Sequence, residues 1–365
     1  VRIIISGGKT GGHLIPGIAL YEEALSRGHD VFYFLGPNDD RFSITNRIHP
    51  QHRRIVEIGS LSRKLSWKTP LWILRILRAF FATKKEIRKL KPDVVVITGG
   101  YISNPVALSA IVLGIPLYIL EQNTVAGITN RFFAPFARKV FTSFPHTEKI
   151  PPKKALFTGN PTIFNQPLPR KQAREFFNLP SESLCVGIVG GSQGARRLNE
   201  AILSLLPCFA SRNIACVWSV GASDYRRLQE NGTLASLESN YPLVRIYPFI
   251  ERMDAFWGAC DAVIARSGAT TIAEVLSSSC PALFIPIYRS PDDHQKKNAL
   301  SLVNDGGACM VEEPNLDQLL TVVEELLSSL PAKREALRQR FLLQSSSPQK
   351  LILTTIENNL KGGKP

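Results

Sequence analysis

Thirteen short apolar, β-branched runs, most separated by helical patterns, constrain this chain more than any other feature. Seven lie in the first half: RIIIS (2–6), VFYFL (31–35), RRIVEI (53–58), DVVVIT (93–98), PLYIL (116–120), KVFTSF (139–144) and KALFTG (154–159). Six follow: LCVGIVGG (184–191), ACVWSV (215–220), LVRIYPF (243–249), DAVIAR (261–266), PALFIPI (281–287) and ACMVEE (308–313). Runs this continuously apolar, alternating with helices, predict parallel strands buried on both faces. Two such series in 365 residues predict two doubly wound domains. The Pro- and Asn-rich GNPTIFNQPLPR (159–170) is the natural joint. The expected fold class is α/β: two Rossmann-like, doubly wound parallel-sheet domains facing a cleft. Residues 1–160 form the first and 161–341 the second, with a C-terminal helix at about 342–365 packed back on the first.

Each series opens on a strand that ends in a glycine-rich turn, SGGKTGGHLIPG (6–17) and GGSQGARRLNEAI (190–202). The first is not an ATP-binding P-loop, because Ile3 stands where that motif needs its leading glycine. Nor is it a dinucleotide loop, since no register of Gly7, Gly8, Gly11 and Gly12 gives G-x-G-x-x-G. A helix is expected from Ile18 to Arg27, and the turn before it suits an anion, or is simply a tight strand-to-helix turn. In the second turn, Ser192 could donate to a diphosphate beside Gly191, or serve only as a helix cap.

Four further stretches carry polar groups where ligands of such sheets bind, beyond the carboxyl ends of strands. In RSGATTIAEVL (266–276), Glu274 lies among apolar neighbours and could accept two hydrogen bonds from a cis-diol, or be a solvated helix residue. YRSPDDHQKKNA (288–299) offers Asp292, His294 and Gln295 to sugar hydroxyls; its carboxylate pair fits a helix N-terminus better than a metal site. TGGYISNP (98–105) and EQNTVAGITN (121–130) bring Tyr101, Ser103, Glu121, Gln122 and Asn123 to strand ends, where packing and capping are the plainer roles. His13 follows the first glycine turn and can take a proton near neutral pH, or merely brace the loop.

Composition narrows the setting. With 44% hydrophobic and 20% charged residues the chain is globular, and no apolar run is long enough to span a bilayer. It opens on a core strand without a recognisable secretion signal, and Val1 in place of Met suggests a missing N-terminal piece. Six scattered cysteines without C-x-x-C suggest free thiols in a reducing cytosol, not zinc or a redox pair. Of the net charge of +14, nearly all falls in residues 1–160, with 23 Lys and Arg against 10 Asp and Glu. The stretch 63–91 holds ten of those bases and one acid, Glu86, interleaved with Trp67, Leu71, Trp72, Leu74, Ile76, Leu77, Phe80 and Phe81. That pattern suits an anionic membrane surface better than RNA, for which no binding fingerprint is present.

Together these motifs resemble the MurG family of peptidoglycan N-acetylglucosaminyltransferases, enzymes of the GT-B fold. GGKTGGHLIPG is similar to the family's G-G-T-G-G-H-x-x-P-G, and TGGYISNP, EQNTVAGITN, GNP, GGSQGAR, the RSGA…E helix and DHQ…NA follow in the family's order. The resemblance implies inverting transfer of GlcNAc from UDP-GlcNAc to the C4 hydroxyl of MurNAc in lipid I, giving lipid II. A base would take the acceptor proton while donors stabilise the leaving diphosphate, with no metal or cofactor. By position, uridine would stack near Phe249, with Ile250 backbone groups on the uracil edge and Glu274 on the ribose. Gly191 and Ser192 would bind the diphosphate. Ala269, Thr270 and Thr271 would meet phosphate and sugar, and Asn123, His294 and Gln295 the GlcNAc. Thr10, Gly11, Gly12 and His13, with Gly99, Gly100 and Tyr101, would face the acceptor diphosphate. His13 is the first candidate base and Glu121 the second.

The implied partners are UDP-GlcNAc, lipid I, an anionic inner-leaflet surface touched through about 63–91, and cell-wall synthesis proteins, without nucleic acid. The implied location is peripheral, on the cytoplasmic side of the plasma membrane. The chain departs from the family pattern at Lys9, Asn104, Leu120 and Ile163. Lys9 stands where the family usually has glycine and would either add a phosphate contact or crowd the turn. Two other readings stay open: a related transferase acting on another lipid, and a non-catalytic membrane-bound scaffold.

Overall fold

In the computed structural model all thirteen apolar runs form strands. The model describes residues 1–58, 69–163, 166–191, 195–345 and 347–362, with only the backbone described for 69–74. The first sheet contains β1 (Arg2–Gly7), β2 (Asp30–Leu35), β3 (Arg53–Ile55), β4 (Val94–Gly99), β5 (Leu117–Glu121), β6 (Lys139–Thr142) and β7 (Ala155–Phe157). Their order is β3-β2-β1-β4-β5-β6-β7, and the paired strands run parallel. The second sheet contains β8 (Cys185–Val189), β9 (Ala215–Ser219), β10 (Val244–Tyr247), β11 (Ala262–Ala265), β12 (Ala282–Phe284) and β13 (Ala308–Met310). Its order is β10-β9-β8-β11-β12-β13, again parallel.

The period-two alternation of strand side chains divides the first unit's core in two. Ile4, Val95 and Ile97 point to one face, where Val106 and Ala110 of α3 (Ser103–Val112) and Ala79 and Ile87 of α2 (Thr69–Leu90) cover them. Ile3, Ile5, Val94 and Val96 point to the other, under Leu14, Ile18 and Tyr21 of α1 (Gly11–Ser26). The helix Pro348–Lys361 completes that second layer with Ile352, Leu353 and Ile356, all at most 1% exposed. Each buried aliphatic side chain contributes about 1.5–3 kcal/mol of transfer free energy. In the second unit, Val186, Ile188, Trp218, Ile264 and Leu283 form the core, and the Trp218 indole donates to Asn199 Oδ1 at 3.1 Å.

The chain therefore divides into Val1–Ile163 with Gln344–Pro365, and Phe164–Leu343. The returning helix is fixed to α1 by charge as well as packing: Arg27 Nη1 and His29 Nε2 lie 3.2 and 2.8 Å from Glu357 Oε1. Burial pushes the Glu357 carboxyl up, but His29 and Arg27 outweigh it and hold it below the usual carboxylate range.

One local expectation is corrected. The first helix starts at Gly11, not near Ile18, so Gly11, Gly12 and His13 form its first turn and Pro16 lies inside it. Glycine and proline weaken a helix by propensity, but tertiary bonds secure this turn. The Thr98 hydroxyl on β4 donates to His13 O at 2.9 Å, and the His13 ring nitrogen Nδ1 lies 2.8 Å from Thr98 O.

Candidate functional site

In each sheet the strand order reverses direction beside its first strand, between β1 and β4 and between β8 and β11. The crevice at such a switch point, beyond the strands' carboxyl ends, is where open α/β sheets bind ligands. The first glycine-rich turn lies there, as do Gly190 and Gly191, which open the second.

In the first unit, Thr10 is the extended N-cap of α1, followed by Gly11 and Gly12. The first N–H groups of a helix lack intrahelical partners and carry the positive end of its dipole, so this end favours an anion. His13 bridges the switch point: its Nδ1 lies 2.8 Å from Thr98 O. A carbonyl oxygen only accepts, so Nδ1 carries the proton and the neutral ring has its lone pair on Nε2. Gly99 and Gly100 follow in left-handed conformations, φ 104° and 78°. A side chain at Gly99 would also press on the ring, its Cβ 3.0 Å from His13 Cε1. Tyr101 is half-buried beside this turn.

Asp39, which the sequence reading did not single out, is the strut beneath the loop. It is 4% exposed, and its two carboxylate oxygens accept the N–H of Gly36 and of Lys9, both at 2.8 Å. Gly8 has no room for a side chain, since a Cβ there would fall 1.9 Å from Asp39 Oδ2.

Glu121 ends β5 and is 1% exposed. It accepts Asn123 N–H at 2.9 Å, Gly127 N–H at 3.0 Å and the Asn130 amide at 2.8 Å. Burial raises its carboxyl above the usual range against those bonds. Geometrically it is the hub of the loop 122–127, which places Asn123 half-buried at the surface. The same loop enters α4 (Ile128–Phe133), whose Thr129 hydroxyl donates to Gly100 O at 3.2 Å.

In the second unit, Gly191 is exposed at the end of the turn after β8, and Ser192 lies outside the described residues. β11 leads through Arg266, Ser267 and Gly268 into the helix Ala269–Ser278, which begins with Ala269, Thr270 and Thr271. Thr270 Oγ1 is buried and has no hydrogen-bond partner among the described residues. One turn on, Glu274 is 8% exposed, and burial raises its carboxyl to about 8. The Trp257 indole draws it partway back, although its N–H makes no hydrogen bond of normal geometry. Beyond β10, Phe249 is 52% exposed and Ile250 is buried.

The loop after β12 is tied to the end of β11. Gln295 O accepts the Ser267 hydroxyl at 2.7 Å, and Gln295 Oε1 accepts Ile287 N–H at 3.1 Å. His294 Nδ1 donates to Pro291 O at 2.7 Å. The buried Arg266 donates to Ile285 O at 2.8 Å and pairs with Glu313, fixing the same loop from below. Among the described residues no group of three or more His, Cys, Asp or Glu side chains could hold a metal ion.

Two doubly wound sheets, each with an anion-favouring helix start at its switch point, define a two-domain α/β protein that handles phosphorylated ligands. The chain belongs to glycosyltransferase family 28, whose N-terminal domain matches residues 3–142 and C-terminal domain residues 185–351. It is 34% identical over 347 residues to the UDP-N-acetylglucosamine–N-acetylmuramyl-(pentapeptide) pyrophosphoryl-undecaprenol N-acetylglucosamine transferase of Flavobacterium psychrophilum, covering 92% of this chain and 91% of that one. The enzyme of the same name from Desulfitobacterium hafniense is 32% identical, covering 99% of this chain and 100% of that one. The crystal structure of Acinetobacter baumannii MurG superposes with a TM-score of 0.72 at 28% identity, covering 96% of this chain and 97% of that chain.

Proposed function

We propose that this chain transfers GlcNAc from UDP-GlcNAc to the C4 hydroxyl of the MurNAc-pentapeptide on lipid I, forming lipid II with inversion. The observation that carries the acceptor side is the first turn of α1, where a histidine of fixed tautomer adjoins N–H groups suited to a diphosphate. In this reading Gly11 and Gly12, with Gly99, Gly100 and Tyr101, hold the acceptor diphosphate. His13 Nε2 takes the proton from the C4 oxygen as that oxygen attacks the anomeric carbon and the bond to UDP breaks. His13, not Glu121, is the base, because the Glu121 oxygens already serve the loop that presents Asn123 to the sugar.

On the donor side, Glu274 accepts the ribose hydroxyls and Phe249 stacks on uracil, with Ile250 backbone groups on its edge. The start of the helix Ala269–Ser278, the Thr270 hydroxyl, Gly191 and Ser192 receive the charge that develops on the departing diphosphate. Gln295 and His294 address the GlcNAc hydroxyls. The chemistry is supplied by donors and dipoles, without a metal.

The membrane assignment gains from exposed apolar residues on three neighbouring helices of the first unit. They are Leu77 and Phe81 on α2, Leu108 and Val112 on α3, and Ile128 and Phe132 on α4, with Phe136 just beyond. Exposed Arg75, Arg78, Lys85, Arg88 and Lys89 accompany them on α2. Apolar side chains among bases suit an anionic lipid surface. No helix among the described residues is long and apolar enough to cross a membrane. In this reading the chain attaches peripherally at the cytoplasmic face. The side chains of 63–74, Trp67, Leu71, Trp72 and Leu74 among them, lie outside the described residues.

The test is UDP release from UDP-GlcNAc with and without a lipid I analogue, for wild type and His13→Ala. Acceptor-dependent release that falls by about 10²–10⁴ in the variant, with UDP-GlcNAc affinity retained, is expected. Equal loss of donor binding would remove His13 from the acceptor side.

A further inference from the structure

Lys9 adopts a left-handed backbone conformation, φ 74°, which disfavours any side chain by about 1–2 kcal/mol and suits glycine. Its backbone has little freedom to relax, because its N–H is bonded to the buried Asp39 carboxylate at 2.8 Å. The side chain, by contrast, is exposed. Its ammonium lies 5.2 Å from the centroid of the Tyr101 ring, a cation–π distance. Among the described residues no carboxylate forms an ion pair with it. Tyr101 continues the Gly99–Gly100 turn, and a Cβ on Gly100 would lie 3.5 Å from His13 Cδ2. The ammonium, the aromatic ring and the imidazole thus border the same turn and the same helix N-terminus. Such a conformation persists where the surrounding structure fixes it, as the Asp39 bond does here.

We propose that Lys9 is an acceptor-binding residue whose ammonium contacts the lipid-linked diphosphate at the start of α1, with the Tyr101 ring holding it in place beforehand. The inference rests on the reading that the acceptor diphosphate binds there. A mobile lysine loses side-chain entropy on binding a phosphate, and prior seating on an aromatic face reduces that loss. The same phosphate chemistry could come from a membrane headgroup, so the acceptor must be tested away from a bilayer.

The experiment uses the full chain with UDP-GlcNAc and a short-chain, water-soluble prenyl-diphospho-MurNAc-pentapeptide. Lys9→Met keeps the strained backbone and removes the charge; Lys9→Gly removes both. Both should raise the acceptor KM about tenfold and flatten its dependence on salt, leaving the UDP-GlcNAc KM unchanged. Only Lys9→Gly should raise Tm, and Lys9→Arg should retain a low acceptor KM. An unchanged acceptor KM in Lys9→Gly overturns the inference. An effect seen only with acceptor in anionic vesicles assigns the ammonium to headgroups and overturns it too. Wild type that binds UDP-GlcNAc but never uses the acceptor sinks the functional reading and this inference together. An active wild type with an indifferent Lys9→Gly sinks the inference alone.

Discussion

Glu274 should couple donor binding to release of a proton. Burial places its carboxyl at about 8, so at pH 7 about nine in ten free molecules carry it protonated. A ribose diol donates two hydrogen bonds and is best met by the ionised form. Ionising the group at pH 7 costs about 1.4 kcal/mol, whereas each hydrogen bond to a charged acceptor contributes about 1.5–3 kcal/mol. The two bonds outweigh the cost, and the proton leaves. UDP-GlcNAc has no group of its own titrating between pH 6 and 8, so its affinity should rise about tenfold per pH unit there and level off above 8. Calorimetry in buffers of different ionisation enthalpy would show close to one proton released per donor bound at pH 7. Glu274→Gln should abolish both the slope and the proton, binding about tenfold or more weakly at pH 8 and almost as well as wild type at pH 6. A flat wild-type affinity from pH 6 to 8 without proton release would refute this account of Glu274. The ligand-free protein offers a sign check. Its folded carboxyl sits above the ordinary 4.5, so stability should decline as pH rises from 4.5 toward 8, and Glu274→Gln should remove that decline.

Other perturbations address the remaining parts. Glu121→Gln puts an amide where two N–H groups and the Asn130 amide converge, and should cost about 1–3 kcal/mol in denaturant unfolding with a matching fall in kcat. A normal Tm with lost activity would instead return Glu121 to the list of bases. Phe132→Glu, at a position 64% exposed, should weaken binding to anionic vesicles several-fold while UDP-GlcNAc affinity and Tm hold. Glu357→Gln should lower stability at neutral pH but not in acid, because the depressed carboxyl contributes only until pH falls through its folded value. Urea midpoints at pH 7 and pH 3 would decide it.

What the sequence disclosed follows the range of the interactions involved. Strands such as IIIS and VVVIT were legible because burial on both faces leaves a continuous apolar run, and two glycine-ended series placed both switch points. The start of α1 was not legible, since Gly11, Gly12 and Pro16 all argue against a helix and the bonds that overrule them come from Thr98, far along the chain. Asp39 escaped notice for the same reason: nothing in GPNDD shows that one carboxylate folds back under Gly8. Glu121 and Glu274 carried polar letters within apolar surroundings, but the bonds that fix one and the bare burial of the other depend on the packed neighbours. Lys9 stood out only by its departure from the family's glycine, and its left-handed φ supplies the physical reason.

Because residues 344–365 return to the opening sheet, the polypeptide passes from one half to the other and back again. A protease that nicks either passage leaves the halves tethered through the second, so limited digestion would not free them as separate fragments. Shortening the gene after Leu343 would spare the unit Phe164–Leu343 and strip a layer of Ile352, Leu353 and Ile356 from the opposite end of the sequence. An engineer wishing to produce the N-terminal half by itself would have to splice the final helix onto it.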